Sequence, residues 1–269
     1  MSRMVPTYHA SDGAAYEKFL GRWTKELAPR FLDFATFPDE GPILDVGTGT
    51  GSLAFAMAAR WPSRNILGID VAEPYIAYAR AQFKGKCPQF EIGDAMALPY
   101  DDGTFAGTAA QLVLNFVPNA IAAVSEMRRV TCSGGTIAAA VWDFRGGLVY
   151  QRLFWDTTAS IDPKAGDTRD RLFSGELALP KGLPNLFRAA GLNEVQQNSL
   201  TIRMKYACFD DYWRPLLGGQ GPVGTYVASL GGDLRLKIED AVGKAYCSGS
   251  PDGERSLTAT AWAVRGTAP

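Results

Sequence analysis

Residues 43–53 read Ile-Leu-Asp-Val-Gly-Thr-Gly-Thr-Gly-Ser-Leu: an apolar run, then alternating glycine, then an apolar stretch again. The run 43–46 predicts a short buried strand, and 52–61 predicts a helix closed by Pro62. Glycines at that turn let a ligand approach the backbone with no Cβ in the way. The helix N-terminus adds free N–H groups. Many nucleotide binders share such a turn, so the spacing has to discriminate. A dinucleotide fingerprint, G-x-G-x-x-G counted from Gly47, demands glycine at position 52 and meets Ser52 instead. The pattern is D-x-G-x-G-x-G, from Asp45 to Gly51.

The alternation repeats downstream. Strands are predicted over 65–70, 89–92, 106–114 and 136–142, and helices over 74–83 and 120–130, with Gly134-Gly135 as a turn. This βαβ rhythm implies a parallel sheet covered on both faces. Right-handed crossovers make it doubly wound, with the ligand crevice at the carboxyl ends of the strands. Upstream, 13–36 has helical spacing, with Pro29 expected to break it into two helices. After Asp143 the rhythm stops. Two irregular inserts, about 144–183 and 209–244, surround a helix at 183–190 and a strand at 192–204; a strand at 255–265 closes the chain. The expected organisation is a helical cover (1–40), a core (41–143), and a remainder (144–269) whose inserts cap the substrate.

Composition narrows the chemistry. A chain of 269 residues can bury one α/β core with an inserted cap. The net charge of −1 offers no field to draw the molecule to a polyanion, so no nucleic-acid role is expected. No apolar run approaches the roughly 20 residues that span a bilayer. Residues 1–12 lack the basic-then-apolar order of a secretory signal. Cys87, Cys132, Cys208 and Cys247 have no ligand spacing, so a reduced, cytoplasmic compartment is expected. His9, in a polar leader, is the sole histidine, which argues against a zinc site, a Ser-His-Asp triad or a Cys-His pair.

Two further acids stand where a nucleoside would need them. Asp70 ends the second predicted strand, where a carboxylate accepts from both ribose hydroxyls. Asp94 ends the third. Singly, each reads as well as a loop or N-cap residue. Asp45, Asp70 and Asp94 at the ends of three successive strands favour a nucleoside site.

The stretch 43–53 resembles motif I of the class I S-adenosylmethionine (SAM)-dependent methyltransferases. Similarity continues through Leu98-Pro99-Tyr100, Phe105, 111–118, the run EMRRV at 126–130, Gly134-Gly135 and Trp142, a series typical of the UbiE-like branch that methylates small molecules. It covers about residues 40–143. The resemblance implies a doubly wound, mostly parallel, seven-stranded Rossmann-like sheet with helices on both faces and an inserted cap. It implies SAM as cofactor and S-adenosylhomocysteine as product. SAM would be held by Tyr16, Arg22, Asp45, Gly47, Thr48, Gly49, Gly51, Asp70, Val71, Asp94, Ala95 and Gln111. In relatives the residue matching Asp94 receives the adenine amine, and the one matching Gln111 lies beside the methionine part. Tyr16 and Arg22 fall where relatives place a helix over the cofactor. Arg22 there either pairs with the SAM carboxylate or is an ordinary solvated arginine.

Methyl transfer from a sulfonium is an in-line displacement with a neutral leaving group, so positioning meets most of the demand. No residue declares itself as a catalytic base. The segment Leu114-Asn115-Phe116-Val117-Pro118 lacks the Asn/Asp-Pro-Pro-aromatic box of amino-methylating nucleic-acid enzymes. A small-molecule acceptor with an oxygen or carbon nucleophile is therefore expected, ahead of nitrogen. Asn115, Trp142, Tyr150, Trp155 and Trp213, with Tyr212, are candidates to line its pocket, against the alternative that they are ordinary core. Two other readings remain: a SAM-binding regulatory module without methyl transfer, and, against Ser52, an NAD(P)-dependent oxidoreductase. Nothing in the residues speaks to oligomeric state.

Overall fold

The computed structural model describes residues 12–82 and 85–269. The expectations for 1–11, His9 among them, and for Phe83 at a helix end lie outside the described residues.

Seven strands make one sheet among the described residues: β1 (Ile43–Val46), β2 (Ile66–Asp70), β3 (Gln89–Ile92), β4 (Phe105–Gln111), β5 (Thr131–Trp142), β6 (Asn193–Tyr206) and β7 (Arg255–Thr267). Their order is β3-β2-β1-β4-β5-β7-β6. The first five strands pair in parallel, and β7 runs antiparallel to both β5 and β6. The chain thus forms the doubly wound, mostly parallel sheet expected of it. Parallel strands are covered on both faces, so they read as continuous apolar runs. Ile43 packs into one core cluster while Leu44 and Val46 pack into the other.

The helices are α1 (Gly13–Tyr16), α2 (Arg22–Ala35), α3 (Ser52–Arg60), α4 (Glu73–Gln82), α5 (Ala120–Val130), α6 (Val149–Ala159), α7 (Pro163–Phe173), α8 (Gly182–Ala189), α9 (Phe209–Trp213), α10 (Gly221–Ala228) and α11 (Gly232–Cys247). Leu27, Phe31, Met57 and Ile76, from α2, α3 and α4, pack on one face of the sheet. Val124, Met127 and Phe187, from α5 and α8, pack on the other. Sheet order reverses between β1 and β4, and that switch point opens a crevice at the strands' carboxyl ends.

Pro29 does not break its helix: α2 runs through it. Pro29 is exposed, while Trp23, Leu27, Phe31 and Leu32 are buried on the opposite face. An interior proline costs about 3 kcal/mol, and each of those burials returns roughly 1.5–3 kcal/mol. Packing wins. The irregularity falls earlier, at a π-helical turn over Glu17–Gly21 between α1 and α2. Two strand expectations also shift. β4 stops at Gln111 because Leu112 takes φ +66°, and a 3-10 turn follows at Leu114–Phe116. β5 starts at Thr131, and Gly134-Gly135 lies inside it, where the pairing with β4 changes register.

The inserts are mostly helical and pack against each other, α6 meeting both α7 and α11. The Tyr226 hydroxyl donates to Asp162 at 2.6 Å, and the Tyr212 hydroxyl to the Tyr150 carbonyl at 2.7 Å. Their interior is aromatic, with Phe154, Trp155, Trp213 and Tyr226 in ring contact.

Candidate functional site

The glycine loop is fixed from both sides. Gly47 and Thr48 donate backbone N–H bonds of 2.8 and 3.0 Å to the Ile69 carbonyl at the end of β2. Gly47, at φ +68°, has no space for a Cβ, which would stand 2.4 Å from a Val113 methyl. Buried Asp45 accepts from the Thr48 hydroxyl at 2.7 Å and from the Ala54 amide of α3 at 3.1 Å, locking strand, loop and helix together. Desolvation pushes the Asp45 carboxyl up to about 7, against the opposing bonds from Thr48 and Ala54. Asp70 accepts from the Gly49 amide (2.8 Å) and the Ala72 amide (2.8 Å), and burial raises its carboxyl too.

Strand order sets these groups in a row along the sheet's carboxyl edge. Asp94 follows β3, Asp70 ends β2, Gly47 follows β1, Gln111 ends β4 and Trp142 ends β5. They line one cleft of about 1400 Å³, its mouth included. Of the expected cofactor residues, Tyr16, Asp45, Gly47, Thr48, Gly49, Asp70, Val71, Asp94, Ala95 and Gln111 line it. Asp94 is exposed and accepts from the Met96 amide at 2.8 Å, and Val71 is 73% exposed at the rim.

Two expected cofactor residues stand elsewhere. Gly51 turns the chain into α3 at φ +90° without lining the cleft. Arg22 does not face the cleft; its guanidinium bonds the Asp211 carboxylate at 3.0 and 3.2 Å and stacks on Trp23 and Tyr206. That pairing, away from the lining, does not support the SAM-carboxylate role expected of Arg22.

Among the acceptor candidates, Trp142 alone lines the cleft. Tyr150, Trp155 and Trp213 are at most 2% exposed and belong to the same buried cluster as Leu27, Phe31 and Met57. Asn115 sits in the 3-10 turn beside the cleft, and its Oδ1 is buried without a partner. The alternative of ordinary core thus describes the aromatics of the inserts.

The sequence reading missed the roof. Phe19 and Leu20 on the π turn and Pro222 on α10 overhang the cleft, and the Tyr75 hydroxyl donates to Gln220 at 3.0 Å beneath them. Glu17 ties the turn down, accepting from Thr50 of the glycine loop at 2.6 Å and pairing with Lys25. Thr24 and Ser52 hydroxyls bond at 2.9 Å, joining α2 to α3. Also missed were Phe116, Phe144 and Gln151, which line the far end near Trp142. Asp45, Asp70 and Asp94 are the only charged side chains among the described residues of the lining.

Buried polar atoms at the cleft also include one without a protein partner. The Gln111 Nε2 donates to the Thr24 carbonyl at 3.1 Å, leaving its buried Oε1 unpaired. The residues fit SAM: carboxylates at one end, a glycine cradle in the middle, an acceptor oxygen beside it. Asp70 and Asp94 would hold the adenosine, the glycine loop and Gln111 the methionine portion.

Comparison with known proteins agrees. The family described as a methyltransferase domain matches residues 43–135. The demethylmenaquinone methyltransferase of Thermus thermophilus is 34% identical over 141 residues, 49% of this chain and 61% of the relative. That of Shouchella clausii is 30% identical over 171 residues, 59% of this chain and 73% of the relative. The chain spans about half the length of the first curated relatives it matches. The fold matches a phosphoethanolamine N-methyltransferase of Haemonchus contortus, in complex with S-adenosylhomocysteine, at TM-score 0.57 and 12% identity, over 96% of this chain and 57% of that one. With identity at this level reaching across nearly three quarters of the Shouchella protein, the chain belongs to the class I SAM-dependent methyltransferases of the UbiE type.

Proposed function

We propose that this chain transfers a methyl group from SAM to a neutral, largely apolar small molecule through an oxygen or carbon nucleophile. The observation that carries this reading is the row Asp94, Asp70, Gly47 and Gln111 along one sheet edge, continued by aromatic walls. When bound, SAM supplies an electrophilic methyl group on a sulfonium. Asp70, with both oxygens oriented by backbone amides, accepts from ribose hydroxyls. Asp94 at the mouth accepts from the adenine amine. The unpaired Oε1 of Gln111 suits the ammonium of the methionine portion. Phe19, Leu20, Phe116 and Trp142 keep water from the far end, where the acceptor sits. Positioning supplies up to about 7–11 kcal/mol; the sulfonium leaves as a neutral thioether, and the proton displaced from the acceptor's O–H or C–H passes to bulk water through the mouth of the cleft. The relatives named demethylmenaquinone methyltransferases support a quinol-like ring as the acceptor class.

Calorimetry with SAM and with NADH tests the cofactor, and NADH binding tighter than SAM would overturn the proposal. Asp70→Ala and Asp94→Ala each weaken SAM binding by roughly 1–3 kcal/mol, as lost hydrogen bonds to a buried ligand. Unchanged affinity in both contradicts the assigned roles. Turnover is read as S-adenosylhomocysteine formed on a panel of phenols, hydroquinones and amines. SAM binding without turnover on any of them favours the regulatory module.

A further inference from the structure

The far end of the cleft has a polar feature that the cofactor reading does not use. Gln151, on the first turn of α6, lines the cleft and is 3% exposed. Its Nε2 donates to the Tyr150 hydroxyl at 3.0 Å, and its buried Oε1 has no partner. Leaving a buried amide oxygen unpaired costs about 1–3 kcal/mol, and no donor of the described residues reaches this one. Phe19, Phe116, Trp142 and Phe144 supply the other walls at this end. The Phe19 ring meets Tyr150 edge-on at 6.3 Å, so Gln151 is held beneath the roof. The charged lining residues lie in β1, at the end of β2 and just after β3, whereas this end adjoins β4 and β5.

We infer that Gln151 is the specificity-determining residue for the methyl acceptor: its Oε1 accepts a hydrogen bond from a neutral O–H or N–H donor on an otherwise apolar ring. The inference rests on the methyltransferase reading and deepens it. An apolar end with no cation among the described lining residues rejects a carboxylate- or phosphate-bearing acceptor, because a buried anion needs a partner. It also disfavours an acceptor whose hydroxyl is already capped, which would leave the amide oxygen unpaired. With Nε2 engaged by Tyr150, Oε1 is the atom of the amide that has no protein partner.

The test is calorimetry on protein saturated with S-adenosylhomocysteine, using 2-naphthol, 2-methoxynaphthalene and 2-naphthoate as probes. The wild type binds 2-naphthol about tenfold tighter than the methyl ether, the value of one hydrogen bond to a buried group, and binds the carboxylate weakest. Gln151→Leu brings naphthol and its ether within about twofold of each other and leaves S-adenosylhomocysteine affinity unchanged. Gln151→Met, closer in shape, carries the same comparison if the leucine variant does not fold. Equal binding of naphthol and ether by the wild type, no binding of naphthol at all, or an undiminished preference in the variants overturns the inference. Failure of the wild type to bind S-adenosylhomocysteine instead overturns the underlying reading, and this one with it.

Discussion

Asp45 shows how one residue carries two consequences. Its carboxyl is raised from 3.8 to about 7 by burial, with a smaller push from Asp70. A group raised on folding favours the folded state fully below its unfolded value, and that contribution is lost as pH rises through about 7. The ligand-free protein therefore loses stability between about pH 4 and about pH 7 on this account. A cation in the cleft does the reverse, favouring the carboxylate. SAM affinity is expected to climb as pH rises toward about 7 and to level off above it, with a proton released on binding below about pH 7. Calorimetry in two buffers of different ionisation enthalpy reads that proton directly; flat affinity with no release would contradict it. Asp45, Asp70 and Asp94 could be picked out of the sequence because each stands in or just after a short apolar run that reads as a strand. Gln151 could not. A glutamine inside a helix has no pattern that separates a cleft wall from a solvated face, and its neighbours Tyr150 and Trp155 drew attention by their size while packing inward.

Elements with a strong period were readable, and those that depend on tertiary partners were not. α5 follows its expected bounds, capped by the Asn119 side chain on the Ala122 amide at 3.2 Å, with Arg128 and Arg129 in the last turn. The first insert carried a start signal that was overlooked: Asp162 caps the Lys164 amide at 3.1 Å and Pro163 opens α7. Charge and glycine around it obscured the helix. The π turn over Glu17–Gly21 has no sequence signature of its own. At this scale Arg22 makes a discriminating test. Arg22→Ala is expected to leave SAM affinity within about twofold, because the guanidinium fastens α2 to Asp211 of α9. The pair is about one-third exposed at each side chain. A double-mutant cycle in denaturant should therefore return a coupling of only about 0.5–1 kcal/mol. A tenfold loss of SAM binding would restore the carboxylate role.

At the scale of the molecule, the sheet is closed out of chain order. β7 lies between β5 and β6, paired with Thr136–Trp142 on one side and with Asn193–Tyr206 on the other. It also buries Ala259, Ala261, Ala263 and Val264 against both core clusters. Ending the chain after residue 254 is expected to abolish the cooperative thermal transition rather than lower it, as followed by circular dichroism. A sharp melt in that variant would show the core standing without its closing strand. The same insertion governs how the protein is made. Translation delivers β5 and then the 14 residues of β6 well before the strand that joins them. In the interval two long edges have backbone donors and acceptors with no sheet partner, a template for pairing with the wrong chain. The nascent protein is thus most exposed to misassembly during the synthesis of residues 207–254, the span that separates β6 from β7. A holding chaperone, or a slow growth temperature, should improve soluble yield by acting in that window.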